Sequence, residues 1–557
     1  MNSAEIDLTE NGHLSIDDSI LIDKISKDFY ASFNSFVRLI VSKNKLKGLD
    51  LISSTLSRNP FHSSLVNSLL KLFLLKEKLE KGHNISNIII DNNKLLKPLK
   101  TILKNYNCEA KIISKRSYPF FQESYAILRN LLNSIGYLAV TYQLRNIKID
   151  FPDREYTILD TFIFKNSFSD KGDFTDRYFT GFSDYLDYAY SSKVIYAPIL
   201  SGVKKYSDVK KIIYLSSKSK HKFIFQESIL KFSDHISSLL RTLSFRRKVQ
   251  HLPLFCNADV REIFFSESKK DIFHPSMMVT FSRYFFSKRL SKMNFRVNHV
   301  IDWNENQNID KAFILGVKKF LKVKVFGYQG FFSPAYEMHK VPEAFEYQHG
   351  LLPDHLFSIS ESNQSKIKDR CPQLSVSLAN ALRFSKLKDL KMRKTRDIIL
   401  VALPMNLKES DKIIQICKKF EYLHDFNDKI LIKVHPANDI QYFLKKYFPK
   451  SRKKIELTSD PINLLYPKAK IIITSASSVA VESIYLRIPV AIYGNRYGIT
   501  MNPIEDIRSD VKKTIFYDFD SLLNFINAKQ IKTRQETDIF FWDNGESIRK
   551  MFLENRM

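Results

Sequence analysis

Glycine is scarce in this 557-residue chain, 14 in all. None of it forms a Walker loop before Lys-Ser/Thr, a GxGxxG turn after a strand, or a GxSxG elbow. That excludes the phosphate loop of P-loop NTPases, the dinucleotide fingerprint and the serine-hydrolase nucleophile turn. Cysteine is rarer still: Cys108, Cys256, Cys371 and Cys417 lie far apart with no CxxC pair. They build neither a disulfide frame nor a zinc ribbon, which suits a reducing cytosol. Metal-ligating residues do not cluster, so no metal is expected. No long uninterrupted apolar run occurs. The longest, Tyr125 to Leu144, is broken by Arg129, Asn130, Asn133 and Gln143. A spanning helix wants roughly 20 mostly apolar residues, so this one reads as buried or interfacial. The N-terminus carries Glu5, Asp7, Glu10, Asp17 and Asp18 instead of a basic and then an apolar segment, and reads as no signal peptide. Internal repeats and low-complexity tracts are missing too.

The length exceeds what one hydrophobic core usually serves, so two or more domains are expected. With 44% hydrophobic and 26% charged residues, a packed core is feasible. The charge is strongly one-sided, +28. Basic runs fall at Lys386, Lys388, Lys391, Arg393, Lys394 and Arg396, and at Lys445, Lys446, Lys450, Arg452, Lys453 and Lys454. Such surfaces suit nucleic acid, an anionic membrane face or a phosphate-bearing ligand; a solvated lysine face is the plainer reading of any single run. Zinc-finger spacing, an RNA-binding sheet signature and a basic helix with heptads are all missing, which disfavours nucleic acid.

Residues 1 to about 25 are polar and read as loose, and Ile25 to Leu79 has helical periodicity. Strands at Asn87–Asp91 and Ala110–Ser114 flank a helix, which predicts the start of a parallel sheet. Residues 119–146 read as a helical insert. Further strands are expected at Thr157–Phe164, Lys193–Pro198, Lys211–Leu215, Val297–Asp302 and Lys324–Tyr328. The C-terminal part alternates strand and helix from Asp397 to Tyr493, its strands short apolar runs such as Ile471–Ile473, as in a sheet covered on both faces. The division predicted is a helical extension (1–80), an N-terminal Rossmann-like acceptor domain (81–362), a basic linker (363–396), a C-terminal Rossmann-like donor domain (397–530) and a segment packing back (531–557). The fold class is α/β with two such domains facing across a cleft.

Two strand ends carry the chemistry. Ile471-Ile-Ile473 runs into Thr474-Ser-Ala-Ser-Ser478, which opens a helix. Ligands of open α/β sheets sit beyond the carboxyl ends of strands, and helix-start amides attract anions. Ser475, Ser477 and Ser478 therefore form a candidate phosphate cradle, although a serine there is also an ordinary helix cap. Ile432-Lys433-Val-His435-Pro436 ends another strand, placing His435 and Lys433 to meet the same anion. Two phosphate-competent tips on one sheet edge reinforce each other.

The succession Leu431-Ile-Lys-Val-His-Pro436, Thr474-Ser-Ala-Ser-Ser-Val-Ala-Val-Glu482 and Arg487-Ile-Pro-Val-Ala-Ile492 resembles the C-terminal domain of GT-B glycosyltransferases. It is most similar to the bacterial surface-polysaccharide enzymes with paired HP and SS motifs: polysialyltransferases, capsule Kdo transferases and, more distantly, CDP-glycerol polymerases. The resemblance implies that His435, Ser477 and Ser478 bind a cytidine-linked phosphate; Glu482, one turn on, is a candidate for the ribose. Upstream, Asp302-Trp-Asn-Glu305-Asn-Gln307, Phe326-Gly-Tyr328-Gln329-Gly330 and Tyr347-Gln348-His349-Gly350 resemble a pattern of surface-carbohydrate biosynthesis proteins. It implies Glu305 and His349 (or His339) as catalytic groups and Tyr328, Gln329 and Gln348 as an acceptor cleft. Gly330 stands where that pattern has His. The loop Ser169-Asp-Lys-Gly-Asp173-Phe-Thr-Asp176 supplies Asp173 and Asp176 as candidate bases.

These features lead to the expectation of a metal-independent, cofactor-free transferase. It would move Kdo or a sialic-like nonulosonate from a CMP donor to a capsule or lipopolysaccharide chain. It would work in the cytoplasm or against the inner membrane face. A CDP-polyol phosphotransferase, or a non-catalytic nucleotide-sugar or nucleic-acid binder, remains open at this point.

Overall fold

The computed structural model describes residues 4–9, 12–115, 119–144, 151–152, 154–203, 205–334, 336–448, 454–528 and 539–553. Lys450, Arg452 and Lys453 of the second basic run, residues 145–146 of the insert and part of the C-terminal segment lie outside them. Three larger parallel sheets organise the chain. The first joins β1 (Ala4–Asp7), β2 (Ile85–Ile90) and β3 (Lys111–Ser114) in the order β1-β2-β3. Helices α1 (Ile16–Lys43), α2 (Leu65–Glu80) and α3 (Leu96–Asn105) share a core with it. Residues 4–9 and 12–25 are thus ordered where looseness was expected. Ile6 and Leu8 are buried, and the short, acidic strand hid the alternation. The strand–helix–strand unit after residue 85 belongs to this small sheet and does not start the larger one.

The second sheet uses β4 (Glu155–Asp160), β6 (Val194–Tyr196), β8 (Lys222–Phe223), β9 (Arg296–Trp303), β10 (Val325–Gln329), β11 (His355–Ser358) and β12 (Ser375–Leu378). Its order is β12-β11-β10-β9-β4-β6-β8, and β5 (Phe162–Ile163) pairs with β7 (Ile199–Leu200) beside it. The expected strand Lys211–Leu215 is instead part of a helix, Tyr206–Ser217. Its buried Val209, Ile212, Ile213 and Ser216 follow helical spacing. The stretch 363–396, expected as a linker, contains most of the helix Glu361–Arg370 and the edge strand β12. Their lysine- and serine-rich sequence reflects an exposed edge, where polar side chains face water.

The third sheet comprises β13 (Ile398–Ala402), β14 (Lys429–Lys433), β15 (Ile455–Thr458), β16 (Ala469–Thr474), β17 (Val490–Tyr493) and β18 (Lys513–Phe516), in the order β15-β14-β13-β16-β17-β18. In β13, Ile399 and Val401 feed one core while Ile398 and Leu400 feed another, so both faces are covered. The core that holds Ile398 and Leu400 continues without a break to Leu159, Ile301 and Phe357 of the second sheet. One hydrophobic body therefore joins both large sheets. The helix Glu546–Leu553 packs back against the second sheet's side: Phe552 stacks on Phe182 at 4.8 Å.

Candidate functional site

Each large sheet reverses its strand order once, between β13 and β16 in the third and between β4 and β9 in the second. At such a reversal the flanking connections leave in opposite directions and open a crevice beyond the strand ends. The candidate residues gather at these two places.

In the third sheet, Thr474 at the end of β16 donates its hydroxyl to the Ala402 carbonyl at the end of β13, 3.1 Å away. Beyond it the helix Ser478–Tyr485 begins. Ser477 caps it, accepting the Val479 N–H at 3.3 Å, so the ordinary capping role of serine is realised. Ser477 and Ser478 stay half-buried at the opening while Ser475 is buried. A second helix, Leu407–Lys418, starts beside it. Asn406 caps that helix through the Lys408 amide, and Glu409 stands in its first turn near Ser475, whose buried hydroxyl has no hydrogen-bond partner. Burial raises the Glu409 carboxyl above its ordinary range, against the lowering effect of Ser475. Two helix starts, each with a partial positive charge, therefore meet at one crevice.

The His435 turn closes the third side. Asn438 donates to the Pro404 and Met405 carbonyls, lashing the loop after β14 to the loop after β13. His435 is half-buried, and its Nδ1 accepts the Ala437 N–H at 3.1 Å. Burial, with Lys433 nearby, lowers its pKa, so the ring is neutral near pH 7 and carries its hydrogen on Nε2. Lys433 turns inward and donates to the Val434 and Ser459 carbonyls, where it fastens strand ends together. Pro436 is exposed. Glu482 is half-buried and held away from a free ligand role by its own partner. It accepts the hydroxyl of buried Tyr466 at 2.6 Å.

At the second sheet's reversal, Asp160 pairs in register with Asp302. Both are buried, their carboxyls pushed upward by loss of water, with Arg283 2.6 Å from Asp160. Glu305 lies just beyond. It accepts the Trp303 indole N–H at 2.9 Å and the Gln307 amide at 2.7 Å, while its own N–H is held by Asp310. Tyr178 and Lys340 interact with it electrostatically, and Arg383 acts on both of them. Burial, and next Glu305, push the Tyr178 phenol up to about 12. Burial opposes the Lys340 charge, but Glu337 and Glu305 hold its pKa above the ordinary value.

Asp176 reaches the same tyrosine from the loop after β5. One of its oxygens accepts the Tyr178 and Phe179 amides and the Thr161 hydroxyl; the other is buried with no hydrogen-bond partner. Burial raises it to about 6. Asp173 is exposed and folds its own turn through Ser169.

The structure separates the other upstream candidates. Tyr328 is fully buried, its hydroxyl bridging Asn380 and Leu382, which makes it a core residue instead of an acceptor contact. Gln329 is buried and donates to the Lys340 carbonyl. Gln348 and His349 line a cavity with Arg38, Ser42 and Lys47 at the C-terminal end of α1 and do not join Glu305. His339 lies nearer, its carbonyl held by Asn306, and burial with Lys340 and Lys311 keeps its ring neutral.

Glu409, Asn406, Lys340 and Arg383 were not singled out from sequence. Asn406 with Glu409 three residues on carries the mark of a helix start. Lys340 and Arg383 gave no such signal.

No protein-family model matches this chain, and no curated protein matches it. Among solved structures it is similar to MnaA of S. aureus in complex with UDP (12% identity, 68% of this chain and 88% of that one, TM-score 0.37). It is also similar to the wall teichoic acid polymerase TagF (12%, 78% and 98%, 0.35) and to the lipopolysaccharide outer core galactosyltransferase WaaB (11%, 67% and 89%, 0.35). These similarities are remote. The strand orders themselves define two Rossmann-like sheets in one chain, the GT-B arrangement.

Proposed function

We propose that the protein is a glycosyltransferase that takes a 2-keto sugar, Kdo or a sialic-like nonulosonate, from its CMP form and adds it to a surface-glycan acceptor. The observation that carries this is the meeting of His435, the Ser475–Ser478 turn and two helix starts at the β13/β16 reversal. That crevice offers neutral N–H and O–H donors to an anion, the requirement for holding a nucleotide phosphate as it departs. Glu409, rather than Glu482, is the carboxylate there, and we assign it the ribose hydroxyls. The choice of cytidine rests on the resemblance of the HP and SS motifs.

Across the second sheet's reversal, Glu305 is assigned as base. It takes the proton of the acceptor hydroxyl while that oxygen bonds to the anomeric carbon. The bond from that carbon to the phosphate oxygen breaks, and CMP leaves with the electron pair. The donors at His435 and Ser477–Ser478 stabilise the negative charge that develops. This route calls on no metal, so turnover is expected to persist in EDTA.

The test is release of CMP from a panel of CMP- and CDP-activated donors. A CMP-sugar should turn over, and Glu305→Gln should lower kcat by about 10²–10⁴-fold while CMP still raises the melting temperature. Turnover of CDP-glycerol alone would favour phosphodiester transfer. Stabilisation by RNA and by neither nucleotide would overturn the reading.

A further inference from the structure

The long helix α4 (Pro119–Leu144) is amphipathic in the reverse sense. Its polar residues face the protein: Asn130 bonds the Lys270 carbonyl, Ser134 the Phe273 carbonyl, and Tyr137 Glu227, while Thr141 is buried. Its apolar residues face out. Tyr125, Leu128, Leu132, Ile135 and Tyr142 are 50% to 66% exposed. With exposed Ala139 they repeat at spacings of three and four, a stripe about 26 Å long at the rise of an α-helix. Exposed Phe232 on the neighbouring helix Phe232–Arg241 extends the surface across a cavity of about 400 Å³ that it lines with Leu138, Tyr142 and Lys231. An apolar face this continuous marks a partner.

The charge around it says which kind. Arg129 and Lys231 are exposed at its margins, and Lys270 beside them is paired with Glu267. The nearby acids are neutralised within the protein: Glu123 by Lys94 and Lys269, and Asp234 by Arg289. A symmetric pairing of two copies would set this basic rim against itself, whereas an anionic lipid surface complements it. No described helix is long and apolar enough to cross a membrane, and the polar face of α4 is bonded to the body. We infer that α4 and the adjoining Phe232 lie flat in the interface of an anionic bilayer, with Tyr125 and Tyr142 at the polar boundary. This goes beyond the transfer reaction and stands apart from the basic runs near residues 390 and 450.

The experiment is co-sedimentation of the full chain with phosphatidylcholine vesicles, with and without about a quarter phosphatidylglycerol. The wild type should bind the anionic vesicles, and less so as salt is raised. Leu132→Glu/Ile135→Glu should cut the bound fraction about tenfold with the melting temperature and its response to CMP unchanged. Tyr125→Ser/Tyr142→Ser, a milder pair, should weaken binding in the same direction. Wild type that stays in the supernatant, or variants that sediment like it, would overturn the inference. So would a wild-type dimer that the glutamates split into monomers, which assigns the face to a second copy.

Discussion

Asp176 and Glu346 show how burial alone does not fix the charge of a carboxyl. Asp176 has amide donors on one oxygen and nothing on the other, so loss of water wins and its pKa rises to about 6. A raised acid holds its proton in the folded state where the unfolded chain has released it. Stability therefore falls as pH rises from the unfolded value near 4 through 6. Asp176→Asn should remove its share of that decline, so that the melting temperature falls less steeply than the wild type's between about pH 4 and 6, the window set by the two pKa values. Glu346 is the opposite case. Burial would raise it, but Arg58 and Lys311 outweigh that and hold it at about 2. Its contribution is present above the unfolded value near 4.5 and is lost as pH falls through that window toward 2. Arg58→Ala leaves this carboxylate buried with one cation fewer and should cost about 3–5 kcal/mol in denaturant unfolding at pH 7. None of this was legible in sequence, because the effects depend on solvent exclusion and on partners as far apart as Arg58 and Glu346, 288 residues in the chain.

At the scale of elements, the third sheet was largely readable. Ile430 and Ile432, and Ile471 to Ile473, are short apolar runs that only a doubly covered strand tolerates, and His435 and Ser477 follow them at once. What failed to show was orientation within an element. Glu482 has the spacing of a solvent-facing or ligand-facing helix residue, yet Tyr466 claims it from a neighbouring turn. Tyr328 and Gln329 stand at a strand end like the candidate site residues but point into the core. The contrast is testable with a glutamate pair. Glu409→Gln should weaken CMP binding about tenfold in titration calorimetry with little change in melting temperature, a hydrogen bond to a charged group being worth roughly 1.5–3 kcal/mol. Glu482→Gln should leave CMP affinity within about twofold and instead lower stability by about 1 kcal/mol.

For the whole molecule, the first 80 residues serve as a brace between the two large sheets. Helix α1 reaches the third sheet through Asp23, which accepts the Thr500 amide and the Tyr517 hydroxyl. Arg496 donates back to the Leu14 carbonyl. The chain between α1 and α2 reaches the second sheet's side, where Arg58 bonds the Met338 and Val341 carbonyls and Glu346. Glu346 in turn accepts from Asn306, one residue from the proposed base. The sequence disclosed a helical extension there, since its periodicity is local. It could not disclose that Phe29, Phe33, Val37 and Leu69 share a core with Met338, Phe345 and Ile499. A chain beginning at residue 81 would expose that core and leave Glu346 without Arg58. We predict that it is recovered aggregated or protease-sensitive, with no cooperative melt by circular dichroism. Asp23→Ala in the full chain should lower the melting temperature modestly, by about the worth of one or two hydrogen bonds, while leaving the cooperative transition intact. A truncated chain that melted cooperatively and bound CMP as the full chain does would show that the extension is an appendage and that the two sheets need no brace.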